Sequence, residues 1–117
     1  MIDREHPLAG RSQVALADLD GLELVVPPAG RPHRGSLDRA LLDAGVAWRP
    51  VAEADGWDLQ VHFTAMGIGA CVVNGCVPAP DELAAVPITD LPAVHYWAVW
   101  RAQRRPVVAD LLAELPA

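Results

Sequence analysis

The sequence predicts an α/β layered fold with a mostly parallel sheet of about five strands. Apolar, β-prone runs alternate with helical patterns along the 117 residues, the order typical of a parallel sheet covered by helices. Residues 55–75 contain this unit in one piece: a helical pattern, a glycine and the apolar run 68–73. A continuous apolar run is typical of a strand that is covered on both faces. We therefore expect the rest of the chain to pack around this helix–strand unit.

The first half of the chain is expected to form two strands and one helix. Residues 14–20 predict a short helical turn, and residues 22–26 predict a strand that the following two prolines end. A small, basic loop rich in glycine and proline comes next. Ser36 is a suitable N-cap for a helix that Gly45 closes. Residues 49–54 predict the second strand.

The helix that follows is predicted from the spacing of its apolar residues. Leu59, Phe63 and Met66 are four and three residues apart, which indicates one buried helical face. Asp55 or Asp58 is expected to cap the helix start, because a short carboxylate accepts hydrogen bonds from the free amides there. The helix is expected to end at the glycine that follows Met66.

The last third of the chain predicts two strands and a closing helix. Residues 83–88 give a weak strand pattern, and residues 95–100 are strongly β-prone with aromatic side chains on both faces. Pro106 suits the first position of a helix. Residues 107–115 then carry a broad Val/Leu stripe that predicts an amphipathic helix.

Composition and charge narrow the possible functions. Hydrophobic residues make up 52% of the chain and charged residues 21%, which is typical of a globular domain. No apolar run approaches the roughly 20 residues of a membrane span, and the first residues lack a signal-peptide segment. We therefore expect a cytoplasmic protein that does not enter a membrane. The net charge of −6 would repel phosphate backbones, so we expect no direct nucleic-acid binding.

The cysteines and histidines do not form a metal-binding pattern. Cys71 lies inside the apolar run and Cys76 follows its turn, so both are expected to be reduced thiols. His62 and His95 each lack a second histidine at ligand spacing, and the sequence predicts neither a metal site nor a cofactor. The glycines at positions 67 and 69 are not a dinucleotide-binding fingerprint, because they end a helix and enter a strand.

Together, the motifs resemble the effector-binding (substrate-binding) domain of LysR-type transcriptional regulators. The matching segments are HPLAG (6–10), VALADLDGLELVVPP (14–28), RGSLDRALLDAG (34–45), RPVAEAD (49–55), GIGACVV (67–73), LAAVPI (83–88) and YWAVWRAQRRPVVADLLAEL (96–115). The resemblance implies a three-layer fold like that of periplasmic binding proteins. It also implies a small ligand bound in a cleft between two α/β subdomains.

The resemblance covers only part of such a regulator. It implies the second subdomain with the closing strand and helix, and we expect residues 1–117 to form a single truncated domain without the DNA-binding part. The closing strand and helix carry apolar surface that the first subdomain would otherwise cover. We therefore expect the chain to form a homodimer.

The candidate ligand site lies at the carboxyl ends of the predicted strands. Ligands of open α/β sheets bind there, and helix N-termini at that edge favour anions. Two arginines add donors suited to a carboxylate, and a carboxylate beside an indole can hold an amine. The resemblance places the two glycines after the second helix at the same edge. The candidate ligand-binding residues are Gly30, Arg31, His33, Arg34, Ser36, Glu53, Asp55, Trp57, Gly67 and Gly69.

Two functions are compatible with these residues. The first is a binding module for a small organic ligand that is anionic, amino-acid-like or aromatic. The second is a cofactor-independent enzyme of a biosynthetic pathway that catalyses condensation, isomerisation or imine cyclisation in the same pocket. In the second case Glu53, His33 and Asp55 are the candidate catalytic groups. Glu53 would be the main acid or base, with a pKa raised by the neighbouring acid and by desolvation against Trp57.

Overall fold

The computed structural model describes residues 1–97, 99 and 106–115. Three parallel strands form the central sheet: β2 (Glu23–Val26), β3 (Arg49–Glu53) and β4 (Ala70–Cys71), in the spatial order β3-β2-β4. Two short strands, β1 (Ile2–Asp3) and β5 (Leu83–Ala84), pair antiparallel in a second sheet. The five strands of the described residues are therefore divided between two sheets.

Three helices connect or follow these strands. Helix α1 (Pro32–Asp43) crosses from β2 to β3, and α2 (Trp57–Ala65) crosses from β3 to β4. Helix α3 (Pro106–Glu114) follows at the C-terminal end of the described chain. Two 3₁₀ turns, Pro7–Gly10 and Leu16–Leu19, precede β2. No helix in the described part of the chain has the length and apolarity that a bilayer crossing requires.

The strand that is covered on both faces is β2, not the run at 68–73. Leu24 and Val26 face one buried cluster beneath α1, whereas Val25 faces a second cluster with Val61 of α2. Successive side chains of a strand point to opposite faces, so the central strand fills both clusters. The predicted strand 68–73 is shorter than expected because its residues pair with β2 only at Ala70–Cys71.

The buried face of α2 differs from the one that the apolar spacing predicts. Leu59 and Met66 are 42% and 63% exposed, whereas Gln60, Val61 and Thr64 are buried. Gln60 can be buried because its Nε2 donates to the carbonyl of Ala54 at 3.1 Å. Thr64 likewise donates to the carbonyl of Gln60 at 3.0 Å. The face that meets the sheet therefore combines the apolar Val61, with Phe63 packed beside it, with two polar side chains whose donors reach backbone carbonyls. Among the described residues, the Oε1 of Gln60 is buried without a hydrogen-bond partner.

The C-terminal end of α2 is as predicted, whereas its N-terminal end is not. Gly67 has a φ of +79° and directly follows the last turn, which confirms that a glycine ends this helix. No aspartate side chain caps the start: the N-cap is Gly56, in a positive-φ conformation that Asp55 and Asp58 do not adopt. Neither predicted carboxylate cap is therefore formed.

The C-terminal segment is only partly as predicted. Pro106 begins α3, as expected. His95, Tyr96 and Trp97 are not in a strand, and the predicted strand positions 98 and 100 lie outside the described residues. The weak strand predicted at 83–88 is reduced to β5 and an isolated bridge from Ile88 to Val14.

Candidate functional site

The ends of β2 and β3 lie side by side because the two strands are parallel and, after a register shift between Leu24 and Val25, pair up to their last residues. Val26 pairs with Glu53, the last residue of each strand. The chain that leaves β2 leads to the start of α1, and the chain that leaves β3 leads to the start of α2. We refer to this side of the sheet as the carboxyl edge. It brings together Arg31, His33, Arg34, Glu53, Asp55 and Trp57.

Helix α1 begins four residues before Ser36. Its N-cap is Arg31, and Pro32 occupies the first position, where its fixed φ suits a helix and its missing N–H costs nothing. Ser36 is therefore inside the helix and not its N-cap, and its hydroxyl donates to the carbonyl of Pro32 at 3.1 Å. The predicted role of Ser36 as a cap at the ligand site is wrong.

Few amides of the α1 start remain available to a ligand. The amides of Arg34 and Gly35 donate to the carbonyl of Arg31 at 3.0 and 3.2 Å, and Pro32 has no N–H. Among the hydrogen bonds of the described residues, the amide of His33 is thus the donor left over in the first turn. The helix start contributes one amide and its positive dipole end to the carboxyl edge.

Arg34 connects α1 to the ends of both strands. Its Nε donates to the Asp38 carboxylate at 2.9 and 3.0 Å, and its Nη1 donates to the Pro27 carbonyl at 2.9 Å and to Glu53 at 3.1 Å. The guanidinium also lies 5.7 Å from the centre of the Trp48 ring. Although burial lowers the pKa of Arg34, its hydrogen bonds to Asp38 and Glu53 raise it above the ordinary value. Arg34 therefore stabilises the edge.

Arg31 is the more accessible arginine. Its Nη2 forms an ion pair with the carboxylate of Asp55, and the two side chains are 53% and 56% exposed. Exposed ion pairs of this kind contribute only about 0–1 kcal/mol. A second carboxylate from solution can therefore compete with Asp55 for this guanidinium at little cost.

An aromatic pair lies beside this ion pair. The rings of His33 and Trp57 have centroids 6.3 Å apart and planes tilted by 39°. His33 is exposed, and Trp57 is half-buried at the first position of α2. Their tilted arrangement is within the range of favourable aromatic contacts. It gives the open carboxyl edge an apolar surface next to its charged groups.

Glu53 is not in the surroundings that the enzymatic interpretation expects. Its side chain is 52% exposed and pairs with Arg34, whereas a general acid at neutral pH needs burial or a neighbouring like charge. Asp55 pairs with Arg31 instead of facing Glu53. His33 contacts Trp57 and forms no hydrogen bond with either carboxylate among the described contacts. The three candidate catalytic groups thus share an edge without forming a proton-transfer arrangement.

Gly67 and Gly69 lie at the opposite edge of the sheet. They follow α2 and precede β4, and in a parallel sheet that connection returns the chain to the amino ends of the strands. A Cβ on Gly69 would lie 2.8 Å from the carbonyl oxygen of Glu23, the first residue of β2. The expectation that these glycines complete the carboxyl edge is therefore wrong, because the crossover helix separates them from it.

Sequence reasoning missed two neighbours of the arginines. Asp38 follows Arg34 by four residues in α1, a spacing that predicts an ion pair once the helix start is placed correctly. Trp48 lies just before β3 and reaches Arg34 only through the parallel pairing of the strands. The contact between Arg34 and Asp38 could have been found from their spacing in the sequence, whereas nothing in the sequence indicates the contact between Arg34 and Trp48. In the described chain, no group of three or more His, Cys, Asp or Glu residues is placed to hold a metal ion.

Comparisons with known proteins agree with this architecture. The model of the LysR substrate binding domain family matches residues 1–117. The structure is also similar to that of the Synechocystis PCC6803 CcmR regulatory domain in complex with 2-PG, with a TM-score of 0.71 and 21% sequence identity. That match covers 96% of this chain and 57% of the other, so the chain spans little more than half of that domain. No curated protein matches the chain.

The structural match and the family match support different conclusions. At 21% identity, the structural match establishes the fold, and it confirms the predicted α/β architecture like that of periplasmic binding proteins. The family match extends over the whole sequence and agrees with the resemblance carried by its motifs. This chain belongs to the LysR substrate-binding domain family.

Proposed function

We propose that the carboxyl edge binds a small organic acid, with Arg31 as its main contact. The observation that carries this proposal is the exposed ion pair between Arg31 and Asp55. A carboxylate already occupies the guanidinium beside the start of α1, so the geometry there suits a carboxylate ligand. The ligand would replace Asp55 on Arg31 and accept a further hydrogen bond from the amide of His33. The CcmR regulatory domain, solved with 2-PG bound, supports small-molecule binding by domains of this fold.

Arg34 is assigned a supporting role in this proposal. Its side chain is only 13% exposed, and Asp38, Glu53 and the Pro27 carbonyl already accept its hydrogen bonds. A ligand would have to break these contacts to reach it. Arg31 has one ion pair and is half exposed, so it is the arginine that can exchange partners.

The charges around Arg31 favour a ligand that also carries an amine. Two arginines at the edge face three carboxylates, those of Asp38, Glu53 and Asp55. Displacing Asp55 would leave its carboxylate without its partner, and an ammonium group on the ligand would then pair with it. The rings of His33 and Trp57 would contact an aromatic part. An amino-acid-like or aromatic acid satisfies all of these groups.

The test is calorimetric titration of aromatic acids, amino acids and sugar phosphates into the wild-type chain and variants. Arg31→Ala should weaken binding by roughly 10- to 100-fold, because a charge-assisted hydrogen bond contributes about 1.5–3 kcal/mol. Its side chain does not cap α1, so the substitution leaves the helix start intact. Arg11→Ala is the matched control, since it removes another exposed arginine–aspartate pair far from the edge.

A second variant separates the ligand classes. Asp55→Asn removes the carboxylate that competes for Arg31, so it should tighten the binding of simple carboxylates and weaken that of amino acids. Equal binding by wild type and Arg31→Ala would contradict the proposal, as would the absence of binding across the whole panel.

A further inference from the structure

Two carboxylates of the chain pair with two arginines at the carboxyl edge. Asp55 pairs with Arg31, and Glu53 pairs with Arg34 at 3.1 Å. The acids leave the end of β3 with one residue between them, and the arginines lie one turn apart at the start of α1. A ligand with two carboxylates would make the same pair of contacts, so the chain's own acids lie where its charged groups would bind.

The backbone between the two acids is held by the sheet. The amide of Ala54 donates to the carbonyl of Val26 at 2.9 Å, and Ala54 is 2% exposed in the buried cluster that contains Val61 of α2. Successive side chains of an extended chain point to opposite faces, so both acids point away from this cluster and reach the arginines of α1. The sheet therefore places Glu53 beside Arg34.

The other partners of Arg34 hold its guanidinium without the help of Glu53. Its Nη1 also donates to the carbonyl of Pro27 at 2.9 Å, and its Nε donates to Asp38, four residues further along α1. A backbone carbonyl and a carboxylate of the same helix are fixed partners. Glu53 accepts the longest of these hydrogen bonds, and its side chain is 52% exposed. It is therefore the partner that a second anionic group of a ligand would have to replace.

The charge of the carboxyl edge disfavours such a replacement. Two arginines face the three carboxylates of Asp38, Glu53 and Asp55, so the edge already has one excess negative charge. An amino-acid-like ligand can displace Asp55 and pair its own ammonium group with the displaced carboxylate. A dicarboxylate would in addition have to displace Glu53, whose charge would stay close to the second carboxylate and repel it.

We propose that Glu53 is the specificity-determining residue that limits the ligand of the carboxyl edge to one carboxylate. The inference rests on the proposed function, because it takes Arg31 as the main ligand contact. The carboxylate of Glu53 occupies the position on Arg34 that a second carboxylate would need. The edge thus discriminates by repulsion as well as by attraction, and it favours monocarboxylates over dicarboxylates of similar size.

Calorimetric titration of hydrocinnamate and phenylsuccinate measures this selectivity. Phenylsuccinate has the aromatic ring and the carboxylate of hydrocinnamate and carries one further carboxylate. Glu53→Gln keeps the shape of the side chain and an acceptor for Arg34 but removes the charge. It should raise the affinity for phenylsuccinate relative to hydrocinnamate by roughly 10- to 100-fold, the effect of one additional charge-assisted hydrogen bond. Because Glu53 is half exposed, thermal unfolding of the variant should still show a folded domain.

Glu23→Gln is the matched control. It removes the same charge from an exposed ion pair with Arg49 at the first residue of β2, so its selectivity should equal that of the wild type. Suppose that hydrocinnamate binds in an Arg31-dependent manner, but Glu53→Gln gains no more affinity for phenylsuccinate than Glu23→Gln does. The role of Glu53 is then wrong and the proposed function stands. Equal affinities of the wild type for the two acids would also contradict this role. If neither acid binds to the wild type or to either variant, the proposed function fails together with it.

Discussion

Gly69 packs against the backbone where the chain passes from α2 to β4. A Cβ there would lie 2.8 Å from the carbonyl oxygen of Glu23 and 2.8 Å from a methyl group of Val51. Distances this short require the strands to shift, because backbone atoms cannot move aside independently. At this position a glycine is required for close packing between β2, β3 and the chain that enters β4.

Gly69→Ala should destabilise the domain by about 1–3 kcal/mol, the usual cost of overpacking a filled site. Urea unfolding monitored by circular dichroism measures this difference. Gly35→Ala is the control: Gly35 lies within α1 with nothing near its missing Cβ, and alanine there should stabilise the helix by up to about 1 kcal/mol. Equal stability of Gly69→Ala and wild type would show that the strands relax freely.

Asp18 fixes the 3₁₀ turn that leads into β2. Its carboxylate accepts from the amide of Ala15 at 2.8 Å and from Arg11 at 2.7 Å. The bond from Ala15, helped by the hydrogen bond and charge of Arg11, lowers the pKa of Asp18 against a desolvation cost that would raise it. Because the folded pKa is below the unfolded one, the stabilisation is present above the unfolded pKa and is lost as the pH falls through the folded one.

Asp18→Asn should therefore be less stable than wild type at neutral pH, and the difference should shrink as the pH falls below about 4. Urea midpoints measured across this range test the expectation. Arg11→Ala keeps the Ala15 hydrogen bond and should remove only part of the pH dependence. A constant stability difference between Asp18→Asn and wild type down to acidic pH would contradict this role.

At the scale of the elements, α2 is placed by hydrogen bonds as well as by apolar contacts. The face that meets the sheet combines Val61 with Gln60 and Thr64, and the Nε2 of Gln60 and the hydroxyl of Thr64 donate to nearby carbonyls. Leu59 and Phe63 lie beside this face, so the helix is apolar over more than its buried side. Spacing of apolar residues alone selects the wrong neighbour in such a helix.

Val61→Ala and Leu59→Ala distinguish the two faces. Val61 is 8% exposed in the core, and its truncation should cost roughly 1–3 kcal/mol through lost contacts and a small cavity. Leu59 is 42% exposed, and its larger truncation should cost less than about 1 kcal/mol. Chemical denaturation of both variants measures their free energies of unfolding and shows which face of α2 is buried. A larger loss for Leu59→Ala would restore the face that the apolar spacing predicts.

At the scale of the whole molecule, the two edges of the parallel sheet carry different kinds of residues. The carboxyl edge collects charged and aromatic side chains from loops that follow β2 and β3, while at the amino edge Gly69 allows the close approach of the chain to β2.

The sequence by itself determined the features that depend on neighbouring residues. The strand 22–26 ends at two prolines, Gly67 ends α2 with a positive φ, and Pro106 begins α3. Each follows from a restriction on one residue's backbone or from a short hydropathy period. The LysR-like order of motifs belongs to the same level, since it is read along the chain, and the family match confirms it.

The candidate site was only partly determined in this way. The sequence placed Arg31, Glu53 and Asp55 at one edge, because both strands could be recognised and their carboxyl ends meet in a parallel sheet. It misplaced Ser36, since a proline at the first helical position made a side-chain cap unnecessary. It could not tell that Arg34 is occupied by Asp38, Glu53 and Pro27 while Arg31 is accessible.

Only the tertiary structure decided the features that depend on pairing across the chain. Position in the sheet made β2 the strand covered on both faces, although the run at 68–73 is longer and equally apolar. The direction of α2 put Gly69 at the edge opposite Glu53. Such outcomes depend on strand order, register and partners from distant segments. The free energy gained on burial comes from contacts between segments that are distant in the sequence, so it cannot be inferred from any single segment.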